Sequence, residues 1–597
     1  MRIKLSLVYL DPMIDINRFD LQIERVDDIP LIYNSLQKMG VQAIVDSIIK
    51  PHGNWQGLTP GWVITIWLTH ILVRHTHRMD CVQEWVAKQL LTLRHLTGQP
   101  VTPLDFSDDR LALCLRYLQP QRSWGEVESR LGNRLVQVYD LARKLPKRWC
   151  ARLDGTVGVV NHDPKEASLF QVGKAKNGLF ETLYKMMLGS LDPLGLPLAV
   201  DVVPGNRADD PLYIPVYLRI KKTFPGRALL VVGDSKMSVL LTRGTIADNN
   251  DHYLTPLAYL KDEPKLLDEL LAGKQEQEAL MPLIFLEGVL PADGTMPNPA
   301  EAVGRGFEVS RSRSAIVNKR NFTWPERLLV VRSFSYLQSE QEALQKRLDK
   351  AEVALRDLTP PRRRGKKQME DKETLLTAIQ HIEKQYQVSG LFTCTAQQEV
   401  EERQIRAHKG NPARVEKKVR YQLTVQPNPT AIAAAMFKLG WRIYATNAPA
   451  PDLSLSQAVQ AYRSQYVAEN IFRRLQGKLL SITPVYVQRP DHAEGLFHLL
   501  TLASRVLALG DYLAKEALAE AQEKLTGIFP GNPKRGTPTP TMERMLQAFE
   551  DINLTILRLG EQVLYQLTPL TRVQERILGL LGIPLTAYTG LAALQSA

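Results

Sequence analysis

Three carboxylates carry the chemistry this chain can do. Asp154 lies in Cys150-Ala151-Arg152-Leu153-Asp154-Gly155-Thr156-Val157 and Asp234 in Leu229-Leu230-Val231-Val232-Gly233-Asp234-Ser235-Lys236, each read as the end of an apolar strand. Glu469 comes much later, on a basic amphipathic helix. Carboxylates delivered by separate elements can hold two hard divalent cations, Mg2+ with Mn2+ as a substitute, which prefer oxygen ligands and clamp the attacking and leaving oxygens of a phosphodiester. That layout is the layout of a metal-dependent nuclease or strand-transfer site. Each acid alone is a weak signal, because strand-end aspartates are commonly caps or turn residues: Asp192 reads as a turn residue, Asp201 as facing solvent, and Asp209 and Asp210 as caps of the next helix. His75, His77 and Cys81 lack a fourth ligand of suitable spacing and read as an exposed loop rather than a zinc site.

Composition narrows the partners. With 597 residues, 44% of them hydrophobic, the chain is too long for one core and too apolar for disorder. A formal net charge of +12 favours a polyanionic partner, since Lys and Arg displace counterions from nucleic-acid phosphates, although ribosomal or membrane-surface proteins can be equally basic. Four scattered cysteines, Cys81, Cys114, Cys150 and Cys394, suggest neither a disulfide framework nor a zinc ribbon, and so a reducing compartment. Near the start, Asp11 and Pro12 interrupt the apolar run before a signal-peptide core forms. The apolar stretches 62–73 and 496–513 read as buried helices, not membrane spans. The expectation is a cytoplasmic protein with no membrane partner.

The elements that must position the acids follow from periodicity. Residues 27–145 are helical in pattern, with basic side chains such as Arg74, Arg78, Lys88, Arg94 and Arg110 that either meet DNA phosphates or form a solvated face. From Arg148 the pattern changes: strands over 151–160, 183–191 and 196–203, a helix over 211–222, a strand over 228–232, a helix near 238–247 and a strand at 253–256. This order of elements resembles ribonuclease H, in which the first and fourth strands lie side by side, so Asp154 and Asp234 become neighbours. Residues 307–310 and 328–331 are strand-like, helices cover 336–358 and 372–387, and 421–425 with 441–446 make a strand pair. Between the two helices, Pro360-Pro361-Arg362-Arg363-Arg364-Gly365-Lys366-Lys367 is a hairpin tip, either a solvated loop or a DNA-touching finger. A single helix over 455–480 puts Tyr462, Gln465, Glu469, Phe472 or Arg473, and Gln476 on one face. Helices follow over 493–524 and 541–567, joined by the breaker-rich linker 530–536.

With these motifs in hand, the chain resembles the DDE transposases of bacterial insertion sequences, in the branch with an insertion domain before the last acid. Leu153-Asp154-Gly155-Thr156 resembles the family's first acid motif, Val232-Gly233-Asp234 the second, and Gly205-Asn206-Arg207-Ala208-Asp209 the stretch after the third strand. His52-Gly53-Asn54-Trp55 resembles the leading domain of one such group. The family's last motif, Tyr, two residues, Arg, three residues, Glu, six residues, Lys, falls on Tyr462, Gln465, Glu469 and Gln476, with glutamine at both basic positions. Arg463, Arg473, Arg474 and Lys478 stand close enough on the helix to substitute.

The resemblance implies an α/β fold: a ribonuclease-H-like core in two parts, 148–257 and 437–525, interrupted by a mixed insertion domain, 258–436, with helical N-terminal DNA-binding (1–147) and C-terminal (526–597) regions. It implies Asp154, Asp234 and Glu469 as catalytic metal ligands, and DNA contact by Tyr462, Arg463, Gln465, Arg473, Arg474, Gln476 and Lys478. Element ends and target, both double-stranded DNA, are the implied partners, met by a homodimer in the nucleoid. Cut-and-paste transposition through hairpin ends is the implied route, with Trp324 or Trp441 stacking on a flipped base unless they serve only as core. A nuclease that cuts without joining and a silent DNA-binding derivative are the alternatives.

Overall fold

A short strand, β1 (Phe19–Arg25), precedes eight helices: α1 (Ile29–Met39), α2 (Val41–Ile48), α3 (Pro60–Arg74), α4 (Val82–Lys88), α5 (Leu90–Thr97), α6 (Asp108–Leu118), α7 (Gln121–Val138) and α8 (Leu141–Lys144). Proline sits in the first turn of α1, where its missing N–H has no intrahelical partner, and Gly40 in the left-handed region ends it. Helix α3 is apolar on every side and buries Ile64, Trp67, Leu68 and Ile71 completely, as a helix without a polar face must. The computed structural model describes residues 19–145, 148–164, 168–257, 265–287, 297–361, 369–405, 414–559 and 562–593. By contacts the chain forms two units: 1–255 with 314–324 and 461–597, and 256–313 with 325–460.

In the first unit the sheet strands are β2 (Trp149–Val159), β3 (Gln171–Lys174), β4 (Phe180–Leu191), β5 (Leu196–Pro204), β6 (Leu229–Gly233) and β7 (His252–Pro256), with α9 (Tyr213–Thr223) and α10 (Leu240–Asp248) as crossovers. Strand β4 pairs antiparallel with β2, β3 and β5, while β2, β6 and β7 run parallel. Gly205, at the end of β5, has no room for a side chain: a Cβ there would strike the carbonyl oxygens of Leu183 and Gln171. The β3–β4 hairpin therefore lies tightly against the β5 end, a packing role for a glycine met in sequence only as part of a motif.

The second unit holds α11 (Leu266–Leu271), β8 (Leu283–Ile284), β9 (Gly304–Val317), β10 (Arg320–Ser333), α12 (Phe334–Arg356), α13 (Lys372–Gln385), β11 (Phe392–Ile405), β12 (Arg414–Pro427), α14 (Pro429–Phe437) and β13 (Trp441–Thr446), some of β9 and β10 belonging to the first unit. The strand pair expected between 421–425 and 441–446 does not form: β12 pairs with β11, and β13 with β10. Leu344, Leu348, Leu355, Leu375, Ile379, Leu423 and Val425 bind the helical hairpin and the ribbon into one core. Most of the basic tip, residues 362–368, lies outside the described residues.

Past α15 (Leu455–Arg463) and α16 (Tyr466–Gln476) comes α17 (Pro490–Ala521), whose central residues are almost all buried. It packs on α3, α6 and β5, which binds the N-terminal helices to the sheet. Charged groups inside this junction are only partly paired: Arg505 Nη2 donates to Leu198 O at 2.9 Å while its Nε and Nη1 are buried without an acceptor among the described residues, and Glu128 of α7 accepts from Val200 N at 2.8 Å and lies 3.2 Å from Arg219 as an ion pair.

The C-terminal region departs from expectation. A small ribbon, β14 (Leu525–Thr526) with β15 (Gly536–Thr537), ties the two ends of the stretch read as a linker. After α18 (Met542–Gln547) the chain forms β16 (Asn553–Leu559) and β17 (Gln562–Leu567), not the helix expected over 541–567; α19 (Arg572–Leu580) and α20 (Thr586–Thr589) follow. Strand β16 pairs with β1 from Phe19 against Leu559 to Arg25 against Asn553, and buries Leu554 and Ile556 on alternate positions. The apolar spacing there suits either period, and two strand partners, the neighbouring β17 and β1 from the other end of the chain, decide for the sheet.

Candidate active site

Parallel pairing of β2 with β6 sets Leu153 beside Gly233. The next residue on each strand is an acid, so Asp154 and Asp234 emerge side by side where β6 stops. Asp154 is not at a strand end, as expected from sequence, but in the middle of β2, because β4 continues to pair with it up to Val159. Its Oδ1 accepts from Gly155 N at 2.8 Å. Asp234 caps the turn after β6, accepting from Lys236 N at 3.0 Å, and its other neighbour is the Tyr213 hydroxyl at 2.5 Å. Thr255 Oγ1 donates to the Asp234 carbonyl at 2.7 Å.

Glu469 reaches this place on an element that the sequence misread in one respect. The single helix expected over 455–480 is broken at Ser464 and Gln465, so Tyr462 and Arg463 end α15 while Glu469 lies in the first turn of α16. Two hydrogen bonds fasten this segment across β2. Arg152 Nη2 donates to Ala461 O at 2.6 Å, and Gln476 Nε2 donates to Val157 O at 3.3 Å. The strand anchors bracket Asp154 and the helix anchors bracket Glu469. Ala468, Ile471, Phe472 and Leu475 form the buried face of α16, leaving Glu469 and Arg473 exposed.

The three acids interact electrostatically. Burial, reinforced by the carboxylates of Asp234 and Glu469, pushes the Asp154 carboxyl up to about 6, against the opposing hydrogen bond from Gly155 and the charge of Lys176. Tyr213 is driven well above the ordinary phenol range by burial and by Asp234, and so remains a proton donor to that carboxylate. Three hard oxygen donors whose mutual repulsion raises a pKa form a set that a divalent cation would neutralise. The side chains do not already close around a point: among the described residues no three Asp, Glu, His or Cys groups are drawn together tightly enough to hold an ion.

Beside the acids is a cavity of about 220 Å³ lined by Thr156, Lys174, Lys176, Lys185, Asp234 and Lys236, among others. Asp209 organises its cations. Burial alone would raise its pKa, but hydrogen bonds from Lys185, at 2.7 Å, and from Lys236 hold it below the usual carboxylate range. Asp209 is thus an ion-pair centre, and its side chain caps no helix. Lys185, Lys236 and Tyr213 escaped the sequence reading because nothing local marks them. They meet only through the β4, β6 and α9 packing; the Gly205–Asp209 motif was the one available signal.

Other expected roles change. Arg474 is mostly buried and pairs with Asp511 at 2.6 Å and Glu543 at 2.7 Å, which keep it charged despite its burial, so it belongs to the packing of α16 rather than to a phosphate contact. Gln476 is half-buried and docks α16 on β2. Gln465 occupies the cap position of α16, its carbonyl accepting from Ala468 N and Glu469 N, and Tyr462 is half-buried at the end of α15. Arg463, Arg473 and Lys478 are exposed. Trp324 is buried with its indole N–H on Tyr253 at 2.8 Å, and Trp441 is buried with its own on Phe437 O at 2.8 Å; both are core residues with no face for a base. Asp201 does not face solvent but pairs with Arg219, and Asp192 pairs with buried Arg152 at 2.6 Å. His77 is buried against Ser481 O at 2.9 Å, not exposed. Among the N-terminal cations, Arg78 pairs with Asp80 and Lys88 with Glu84.

A family profile described as "Transposase DDE domain" matches residues 145–505, the span that contains all three acids. The chain belongs to the DDE transposase domain family. Among solved structures, the chain is similar to one titled as a piggyBac transposase synaptic complex with hairpin DNA, at 11% identity and a TM-score of 0.21 over 42% of this chain and 56% of that one. The chain thus spans little more than half the length of that protein, and a likeness so low carries no argument. No curated protein matches.

Proposed function

We propose that the chain binds the ends of its own mobile element, cleaves the DNA and joins those ends to target DNA by cut-and-paste transposition, using Asp154, Asp234 and Glu469. The observation that carries the reading is that the β2–β6 register and the clamped α16 bring Asp154 within the electrostatic reach of both Asp234 and Glu469. In this reading residues 148–257 and 437–525 are the two parts of a ribonuclease-H-like core and 258–436 is the insertion before the glutamate.

Asp154, Asp234 and Glu469 would hold two Mg2+ ions, Mn2+ substituting, and the ions would supply Lewis-acid activation of water and then of the freed 3′ hydroxyl. The chain's own groups do the positioning. Tyr213 fixes the Asp234 carboxylate by donating to it, and Asp209 bridges Lys185 and Lys236, both of which line the cavity where a phosphate would lie. Lys174 and Lys176 add positive charge at the rim, and the exposed Arg463, Arg473 and Lys478 would meet the backbone of bound duplex. A homodimer on paired ends, a bacterial insertion-sequence origin and a cytoplasmic, nucleoid-bound location complete the reading.

The test is an assay on linear DNA that carries the sequences flanking the gene. Mg2+ or Mn2+ should give strand cleavage and, with target added, joined products, whereas Ca2+ should permit binding with little chemistry. Cleavage without joining would reduce the protein to a nuclease. Full activity in the presence of a chelator would overturn the mechanism.

A further inference from the structure

Far along the chain from the acids, the loop 50–56 and helix α6 enclose a pocket that the reaction above does not use. Its volume is about 860 Å³, within the roughly 300–1,000 Å³ of small-ligand sites. Lys50, His52, Trp55, Arg110, Arg116 and Tyr117 form its working wall, and no carboxylate lines it. The pocket is built rather than incidental. Asp105 accepts from Leu58 N at 3.1 Å, and Gly57, at φ +75°, lies so close to that carboxylate that any side chain would collide with it. Trp55 Nε1 donates to Leu58 O at 2.7 Å, His52 N donates to the Tyr117 hydroxyl at 3.2 Å, and the Arg110 guanidinium lies 4.4 Å over the Trp55 ring. The polar edges of both rings are hydrogen-bonded within the protein, and both rings line the pocket, Trp55 with Arg110 stacked on one face.

We propose that this pocket receives an unstacked nucleotide of a DNA strand, its phosphates on Lys50 and Arg116 and its base against Tyr117 and Trp55. Cations explain attraction to any DNA, but aromatic surface in a recess is useful only to a base that has left the stack, since paired bases hide their faces. Arg110 supports the site from behind: it stacks on Trp55, donates to Leu58 O at 3.1 Å, and its Nε is buried without a hydrogen-bond acceptor. Arg116 is exposed and lies 3.7 Å from Asp491 as an ion pair. The His52-Gly53-Asn54-Trp55 motif thereby gains a purpose, a folded rim in which Asn54 N donates to the His52 ring at 3.3 Å.

The choice of DNA as ligand rests on the transposase reading, and the experiment keeps the two separable. Full-length protein is titrated against a labelled single-stranded oligonucleotide containing 2-aminopurine and against the matching duplex, with cleavage of element ends scored independently. Tyr117→Leu should weaken single-strand binding roughly 5- to 100-fold and abolish 2-aminopurine quenching, while Tyr117→Phe, which keeps the ring, should retain both. Lys50→Ala with Arg116→Ala, surface changes that leave the fold intact, should lower the slope of log affinity against log salt by about 1.4, at about 0.7 per contact. Single-strand binding and salt slope unchanged in the Lys50/Arg116 variant would overturn the proposal, as would variants that weaken duplex binding alone. Pocket-dependent binding without any cleavage would instead sink the transposase reading and leave the pocket standing.

Discussion

Asp154→Asn should abolish cleavage and at the same time stabilise the metal-free protein at neutral pH. The carboxyl is shifted from 3.8 to about 6, chiefly by burial and then by its acidic neighbours. Two units at 1.36 kcal/mol each give about 3 kcal/mol; water at the mouth of the site lowers this to an expected ~1–3 kcal/mol. The sign follows from proton binding. A folded-state pKa above the unfolded one means that the native protein holds the proton more tightly, so this contribution is fully present below about pH 4 and is lost as pH rises through about 6. Asparagine has no charge to desolvate and can still accept from Gly155 N. Urea unfolding in chelator, from pH 4.5 to 8, should show wild type and variant converging at the acid end and the variant ahead by ~1–3 kcal/mol at pH 8. Added Mg2+ should then raise wild type more than the variant, since a ligand stabilises only the state that binds it. A variant less stable than wild type at pH 8, or a gap independent of pH, would refute the picture of a strained acidic cluster.

Further outcomes follow from the same contacts. Asp234→Asn and Glu469→Gln should each eliminate strand cleavage while end binding measured by gel shift persists, and cleavage near the wild-type rate would remove that residue from the site. Tyr213→Phe takes one donor from Asp234, so cleavage should fall roughly 10- to 100-fold with partial rescue at high Mg2+; an unchanged metal-concentration profile would assign the tyrosine to packing alone. Arg473 and Arg474, adjacent in sequence, should behave oppositely. Arg473→Ala should reduce the salt slope of end binding by about 0.9 without loss of stability. Arg474→Ala leaves Asp511 and Glu543 half-buried without their partner, and so should lower the thermal midpoint and leave the slope alone.

Some of this protein is written locally. The apolar runs before Asp154 and Asp234 specify strands whatever surrounds them, and the spacing of Ala468, Ile471, Phe472 and Leu475 specifies a helix with Glu469 on its open side. The strands that carry Asp154 and Asp234 and the helix that carries Glu469 were therefore legible, because each rests on hydrophobic periodicity within a few residues. Long-range partners decided the rest. Leu554, Ile556 and Leu557 suit a helix or a strand, and pairing with β17 on one side and with β1, more than five hundred residues earlier, on the other made them a sheet. Arg473 and Arg474 are chemically identical, and only the arrival of Asp511 and Glu543 buried one of them. Lys185, Lys236 and Asp209 carry no sequence mark of belonging together; β4, β6 and the end of β5 had to pack before their charges met. Periodicity tells a residue which side is inside, but electrostatic partners are set by distance in space, which a chain acquires only on folding.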